Sequence, residues 1–186
     1  MPCFGTTKSL DEHRCGLRVG LLCSVKCPGK LILDAYDTCR YLRETPITVI
    51  SGFNSPMEEE CLRILLNGTN PVIWCLARGK FTRIPPAYAK PVASGRLTIH
   101  APFSDNVRYK TAATCAKRNR IVADMADAVL VVHAAPGGKI ESLSLELLAA
   151  GKRLYTYDHP ANAGIIAAGA QPISAGGDWK NVLALK

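Results

Sequence analysis

Arg118-Asn119-Arg120-Ile121-Val122-Ala123-Asp124-Met125-Ala126-Asp127, then Ala128-Val129-Leu130-Val131-Val132-His133, then Pro136-Gly137-Gly138-Lys139, is the stretch that decides the fold. The first part reads as a basic helix. The second is an apolar run without alternation, the pattern of a parallel strand covered on both faces. The third is a glycine turn that opens another helix. Such a series builds a parallel sheet, and ligands of these sheets sit beyond the carboxyl ends of the strands. Helix N-termini at that edge offer free N–H groups to anions. The stretch therefore predicts a site for a phosphate-bearing molecule.

Working outward, strands and helices alternate. Strands are expected at Leu17–Cys23, Ile47–Ile50, Pro71–Ala77, Arg96–Ala101, Ala128–Ala134 and Arg153–Tyr157. Helices are expected over 30–43, 56–66, 105–126 and 140–150. The 56–66 helix has the clearest start: Ser55 as N-cap, Pro56 in the first turn, and Glu58 placed for a capping box. Glu58, Glu59 and Glu60 then complement the helix dipole. Residues 79–95, with Pro85, Pro86 and Pro91, read as an irregular connection, and the glycine-rich C-terminus reads as loose. The predicted fold is α/β: a single doubly wound, mostly parallel Rossmann-like sheet with helices on both faces. Residues 1–15 are expected to form a polar tail, and 16–186 one domain.

The totals agree with a soluble, reduced protein. Of 186 residues, 48% are apolar and 20% charged, and no apolar run is long enough for a membrane helix. The N-terminus carries no secretory pattern. Eight cysteines are present, but there is no Cys-x-x-Cys, and Cys23, Cys61 and Cys75 lie in apolar runs. Reduced thiols in a cytoplasmic protein are expected, with no metal and no cofactor. The net charge of +8 favours a polyanionic partner.

Four strand ends carry ligand-contact candidates. Ser24 and Lys26 follow the first strand, and Ser51 and Gly52 the second. Arg78 and Lys80 follow the third, beside Phe81, a set that could hold phosphates and stack a base. Each of these also reads as an ordinary turn. The strongest element is Gly137-Gly138-Lys139, to which the preceding helix adds Arg118, Asn119 and Arg120. Arg118 and Arg120 are two apart and so do not share a helix face. Arg118 is expected beside the 137–138 turn, and His133 to be a packed strand-end histidine.

These residues resemble the DNA-processing protein A family (DprA/Smf), a branch of the SLOG superfamily. The family pattern is an R-N-R-I-[IV]-A-x-[LM]-[AS]-D helix, a V-L-V-V strand, and a glycine/serine turn into a helix. Residues 118–139 match the helix and strand closely, Ser51-Gly52 matches after another strand, and Asn162 falls near the family's terminal Pro-Gly-Asn. The resemblance spans residues 17–170. It departs after the first strand, where the family's Gly-Ser-Arg is Cys23-Ser24-Val25-Lys26, and at Ser55-Pro56-Met57-Glu58 and Gly137-Gly138-Lys139-Ile140. The resemblance implies binding of single-stranded DNA in a basic pocket, a homodimer, and a RecA-type recombinase as partner.

Two other readings stay open. The sister Lonely Guy branch hydrolyses nucleoside 5′-monophosphates with a P-G-G-x-G-T-x-x-E motif. Pro136-Gly137-Gly138 fits it, but Ser144 stands where that motif has its glutamate. Glu141 and Glu146 would be the displaced acid and base if the chain is an enzyme. The third reading is a nucleotide-sensing domain without chemistry.

Overall fold

A computed structural model describes residues 16–175 and Trp179. The expected polar tail at 1–15 lies outside the described residues. The strands are β1 (Arg18–Cys23), β2 (Thr48–Ser51), β3 (Val72–Cys75), β4 (Leu97–His100), β5 (Ala128–His133), β6 (Leu154–Tyr157) and β7 (Gln171–Ile173). The helices are α1 (Gly29–Leu42), α2 (Pro56–Leu66), α3 (Pro86–Ala93), α4 (Ala112–Met125), α5 (Lys139–Ala149) and α6 (Ala163–Ala167). All strand pairs are parallel, in the order β4-β3-β2-β1-β5-β6-β7.

Strand pleating divides the core in two. Val19 and Leu21 of β1, with Leu130 and Val132 of β5, face Leu31, Ala35 and Leu42 of α1 and Leu62 and Leu65 of α2. Leu22 of β1, with Val129 and Val131 of β5, faces Val122 and Ala123 of α4 and Leu143 and Leu147 of α5. Both faces of the central strands are thus buried, which is why β5 shows no polar alternation. Ser55 caps α2, accepting from Glu58 N–H at 3.3 Å, while Glu58 Oε2 accepts from Ser55 N–H at 3.0 Å. Ser55, Pro56 and Glu58 thus take the roles expected of them.

Three local expectations are corrected. Residues 79–95 are not wholly irregular: α3 spans Pro86–Ala93, starts with Pro86, and buries no residue. A helix without a buried stripe leaves no apolar period to read. The helix expected over 105–126 begins only at Ala112, where Thr111 is the N-cap and forms a capping box with Thr114. Residues 101–111 are loop. The C-terminal region adds α6 and the edge strand β7. Pro172 sits within β7 because an edge strand can leave one N–H side unpaired.

The chain winds from β1 out to β4, returns along α4, and enters β5 beside β1. The β1/β5 junction is therefore the point where the strand order reverses, and a crevice opens at its carboxyl edge.

Candidate phosphate-binding cleft

The crevice is a cleft of about 810 Å³ whose walls come from four places. Ser24, Val25 and Lys26 follow β1, Asn54 and Glu58 flank the start of α2, Arg118, Asn119 and Arg120 come from α4, and Gly138, Lys139 and Glu146 come from the start and body of α5. The apolar part of the lining comes from Ala112, Cys115 and Ala116 of α4 and from Ile140 and Leu143 of α5. The size suits a ligand of nucleotide dimensions.

Arg118 is the central cation. It is only 4% exposed, yet it belongs to none of the ion pairs among the described residues. Its Nε donates to Asn119 Oδ1 at 2.8 Å, and Nη1 donates to the Cys75 carbonyl at 3.4 Å. A guanidinium has five N–H donors, so these two bonds leave donors over for a ligand. A buried charge without a carboxylate is costly in a folded protein, which makes it a functional signal. The same guanidinium pulls down the pKa of the neighbouring Cys75 thiol, which burial pushes up to about 11.

Arg118 lies over the ends of β2 and β3 and lines the same cleft as Gly138 of the turn. Its guanidinium crosses Gly52 so closely that a Cβ there would overlap it. The next residue, Phe53, is buried and held at φ 44°, a conformation rare outside glycine. Gly52 is thus part of the Arg118 seat and is covered by it. Ser51 is fully buried, and its Oγ donates to the Leu21 carbonyl at 2.8 Å, tying β2 to β1. Ser51 serves the frame beneath the cleft.

The remaining expected residues separate clearly. Ser24 Oγ accepts from Ala135 N–H at 2.9 Å, which fastens the β1 loop to the end of β5. Lys26 and Lys139 are exposed, line the cleft and join no ion pair among the described residues. Arg120 is also exposed but is paired with Glu146 at 2.5 Å. Arg78 and Lys80 stand outside the cleft lining. Arg78 stacks over Phe81 at 5.3 Å, and the Lys80 N–H donates to Asp105 Oδ1.

The glycine turn takes its shape from Gly137, whose φ of 69° suits a residue without a Cβ. Glu141 closes the turn by accepting from Gly137 N–H at 2.7 Å, so Glu141 faces the turn and is absent from the cleft walls. Gly138 caps α5 without a side chain, leaving N–H groups of its first turn open toward the cleft. Ser144 is buried, with Oγ donating to the Ile140 carbonyl at 2.7 Å.

Sequence reading gave Asn162 no structural part to play. It is buried and joins β5 to β6, its Nδ2 donating to Val132 O at 3.0 Å and to Thr156 Oγ1 at 2.8 Å. Its Oδ1 accepts from Ala134 N–H and faces His133 Nδ1 at 3.1 Å. With both amide hydrogens spent elsewhere, Oδ1 must be the acceptor, so Nδ1 of His133 carries the proton. His133 is a packed strand-end histidine. Cys23, at the cleft wall, has its thiol pushed up by hydrogen bonding to Cys27 and by burial, so it stays protonated at neutral pH. Among the described residues no group of side chains has the makings of a metal site, and no helix is long and apolar enough to cross a membrane.

Comparison with solved structures gives the fold its place. DNA processing protein A from Streptococcus pneumoniae superposes with a TM-score of 0.74 at 16% identity over 95% of this chain. The protein of the same name from Helicobacter pylori, whose structure concerns single-stranded DNA binding, gives 0.73 at 14% identity over 96%. The chain shares the fold of these DNA processing protein A structures. This chain spans 64% of the Streptococcus pneumoniae chain and 83% of the Helicobacter pylori chain. The same architecture holds a different ligand elsewhere: the molybdenum cofactor binding protein of Rippkaea orientalis gives 0.67 at 12% identity, covering 92% of this chain and 98% of its own. No family model and no curated protein matches the sequence.

Proposed function

We propose that this DprA-like chain binds single-stranded DNA, with Arg118 anchoring a phosphate in the cleft at the β1/β5 junction. The observation that carries the reading is the buried Arg118 guanidinium, which lacks a carboxylate among the described residues and lines the cleft. Lys26 and Lys139, which line the same cleft, serve neighbouring phosphates, and the open N–H groups of α5 add a third positive element. The apolar lining from α4 and α5 gives a base a dry surface. The DNA processing protein A structures share the fold, and the Helicobacter pylori one is concerned with single-stranded DNA.

The reading includes no hydrolytic step. Cleavage of an N-glycosidic bond needs a placed carboxylate. Of the two carboxylates at the cleft, Glu58 accepts from the Asn54 and Ser55 N–H groups and Glu146 is paired with Arg120. Ser144 stands at the Lonely Guy glutamate position with its hydroxyl turned onto its own helix.

The test is a fluorescence-anisotropy titration of labelled dT12 against duplex competitor at several salt concentrations. Each phosphate neutralised on single-stranded DNA contributes a slope of about −0.7 to log K against log salt. Three contacts therefore predict a slope of roughly −2, with duplex competing poorly. A flat salt response, or equal competition by duplex, would refute the reading.

A further inference from the structure

Among the described residues, the two most exposed large apolar side chains are Val25 at 85% and Tyr109 at 81%. Val25 is part of the cleft wall. Tyr109 precedes Lys110, whose Nζ donates to Asn54 Oδ1 at 2.9 Å, and Asn54 and Ala112 are both wall residues. Tyr109 is absent from the cleft lining itself.

The exposure of Tyr109 does not come from a loose segment. The β4–α4 loop is pinned along its length. Gly79 N–H donates to the Val107 carbonyl at 2.9 Å, Lys80 N–H to Asp105 Oδ1 at 3.2 Å, and Lys117 sits 5.8 Å from the Phe103 ring centroid. A loop fastened at both flanks nevertheless presents a phenol to solvent. Its neighbours in sequence are Arg108, which is exposed and in no ion pair among the described residues, and Lys110. An aromatic ring between two cations, beside a basic cleft, suits an unpaired base between two phosphates. Every base has a π-face, and each phosphate needs a positive partner.

Resting on the phosphate-cleft reading above, we infer that Tyr109 is a base-stacking step outside the cleft, with Arg108 and Lys110 holding the flanking phosphates. It extends the site from one nucleotide to a short strand. The cleft takes the phosphate anchored by Arg118, and the next bases of the strand pass over the β4–α4 loop. This makes the chain a reader of oligonucleotides in preference to mononucleotides, because Tyr109 lies outside the cleft lining that a mononucleotide would fill.

The experiment compares Tyr109→Ala, Tyr109→Phe and Arg118→Ala with the unaltered protein, using labelled dT12 and circular dichroism to confirm folding. Losing a stacked base weakens binding by about five- to a hundredfold. Tyr109→Ala is expected to lose dT12 affinity in that range, while Tyr109→Phe, which keeps the ring, stays within about twofold. A shortened dT2 is expected to bind the unaltered protein and Tyr109→Ala equally. If Tyr109→Ala binds dT12 as tightly as the unaltered protein while Arg118→Ala is weakened, the stacking step is wrong and the cleft reading stands. If the unaltered protein does not bind dT12 at all, both are wrong.

Discussion

Arg118 and Arg78 both bring a guanidinium to the carboxyl edge of the sheet, and their surroundings differ completely. Arg118 reaches across the end of β2 from α4, is almost fully buried, and looks into the cleft. Arg78 follows β3, is half-buried, and rests over Phe81, which itself packs 5.5 Å from Trp74. The Arg78 side supports its cation on aromatic faces, an arrangement that stabilises a loop. The Arg118 side keeps its cation dry with only an amide and a carbonyl for company. The same residue type is thus a strut in one region and an anchor in the other. Neither cation has a carboxylate among the described residues, so what separates them is burial at the wall of a cavity.

The comparison breaks most severely at Gly52. Gly52→Ala places a methyl where the Arg118 guanidinium lies, so the buried cation must move. Affinity for dT12 is expected to fall about a hundredfold, the upper end for a charge-assisted contact, and thermal stability to fall with it. The thermal loss alone, with affinity unchanged in folded protein, would show that the Gly52–Arg118 seat is purely structural. A smaller effect in the opposite direction is expected from Glu146→Gln. It frees Arg120 from its ion pair and removes a negative charge from the cleft wall. An exposed pair of this kind is worth little, so affinity should rise by up to about fivefold, more at low salt than at high. A fall in affinity would mean that Arg120 must be held by Glu146 to act.

Much of this was legible in the sequence, for reasons that can be traced to particular residues. The unalternating β5 run, the Ser55 capping box and the Arg118–Asn119–Arg120 helix were each local patterns, and each falls inside one element. Burial of Arg118 beside exposure of Arg120 follows from their two-residue offset. What the sequence did not carry was tertiary. Nothing local says that α4 lays Arg118 over Gly52, since that depends on where the crossover from β4 lands. Nothing local says that Ser51 and Glu141 spend their polar atoms on the backbone. The exposed helix α3 had no apolar stripe to give it away, and the start of α4 was hidden because Thr111 and Thr114 look like ordinary loop threonines. Tyr109 could not be singled out, because its exposure is a property of the pinned loop.

The most direct test sets Arg118→Ala against Arg78→Ala, with dT12 affinity measured by anisotropy at one fixed salt concentration and folding checked by circular dichroism. Both variants remove one guanidinium, so net charge is matched. The account predicts that Arg118→Ala weakens binding about ten- to a hundredfold, as expected for a lost charge-assisted contact. It predicts that Arg78→Ala changes binding by less than about threefold, because a cation outside the cleft acts only through a screened field. Equal losses in the two folded variants would contradict the account, because they would mean that charge is spread over the surface and that Arg118 anchors nothing.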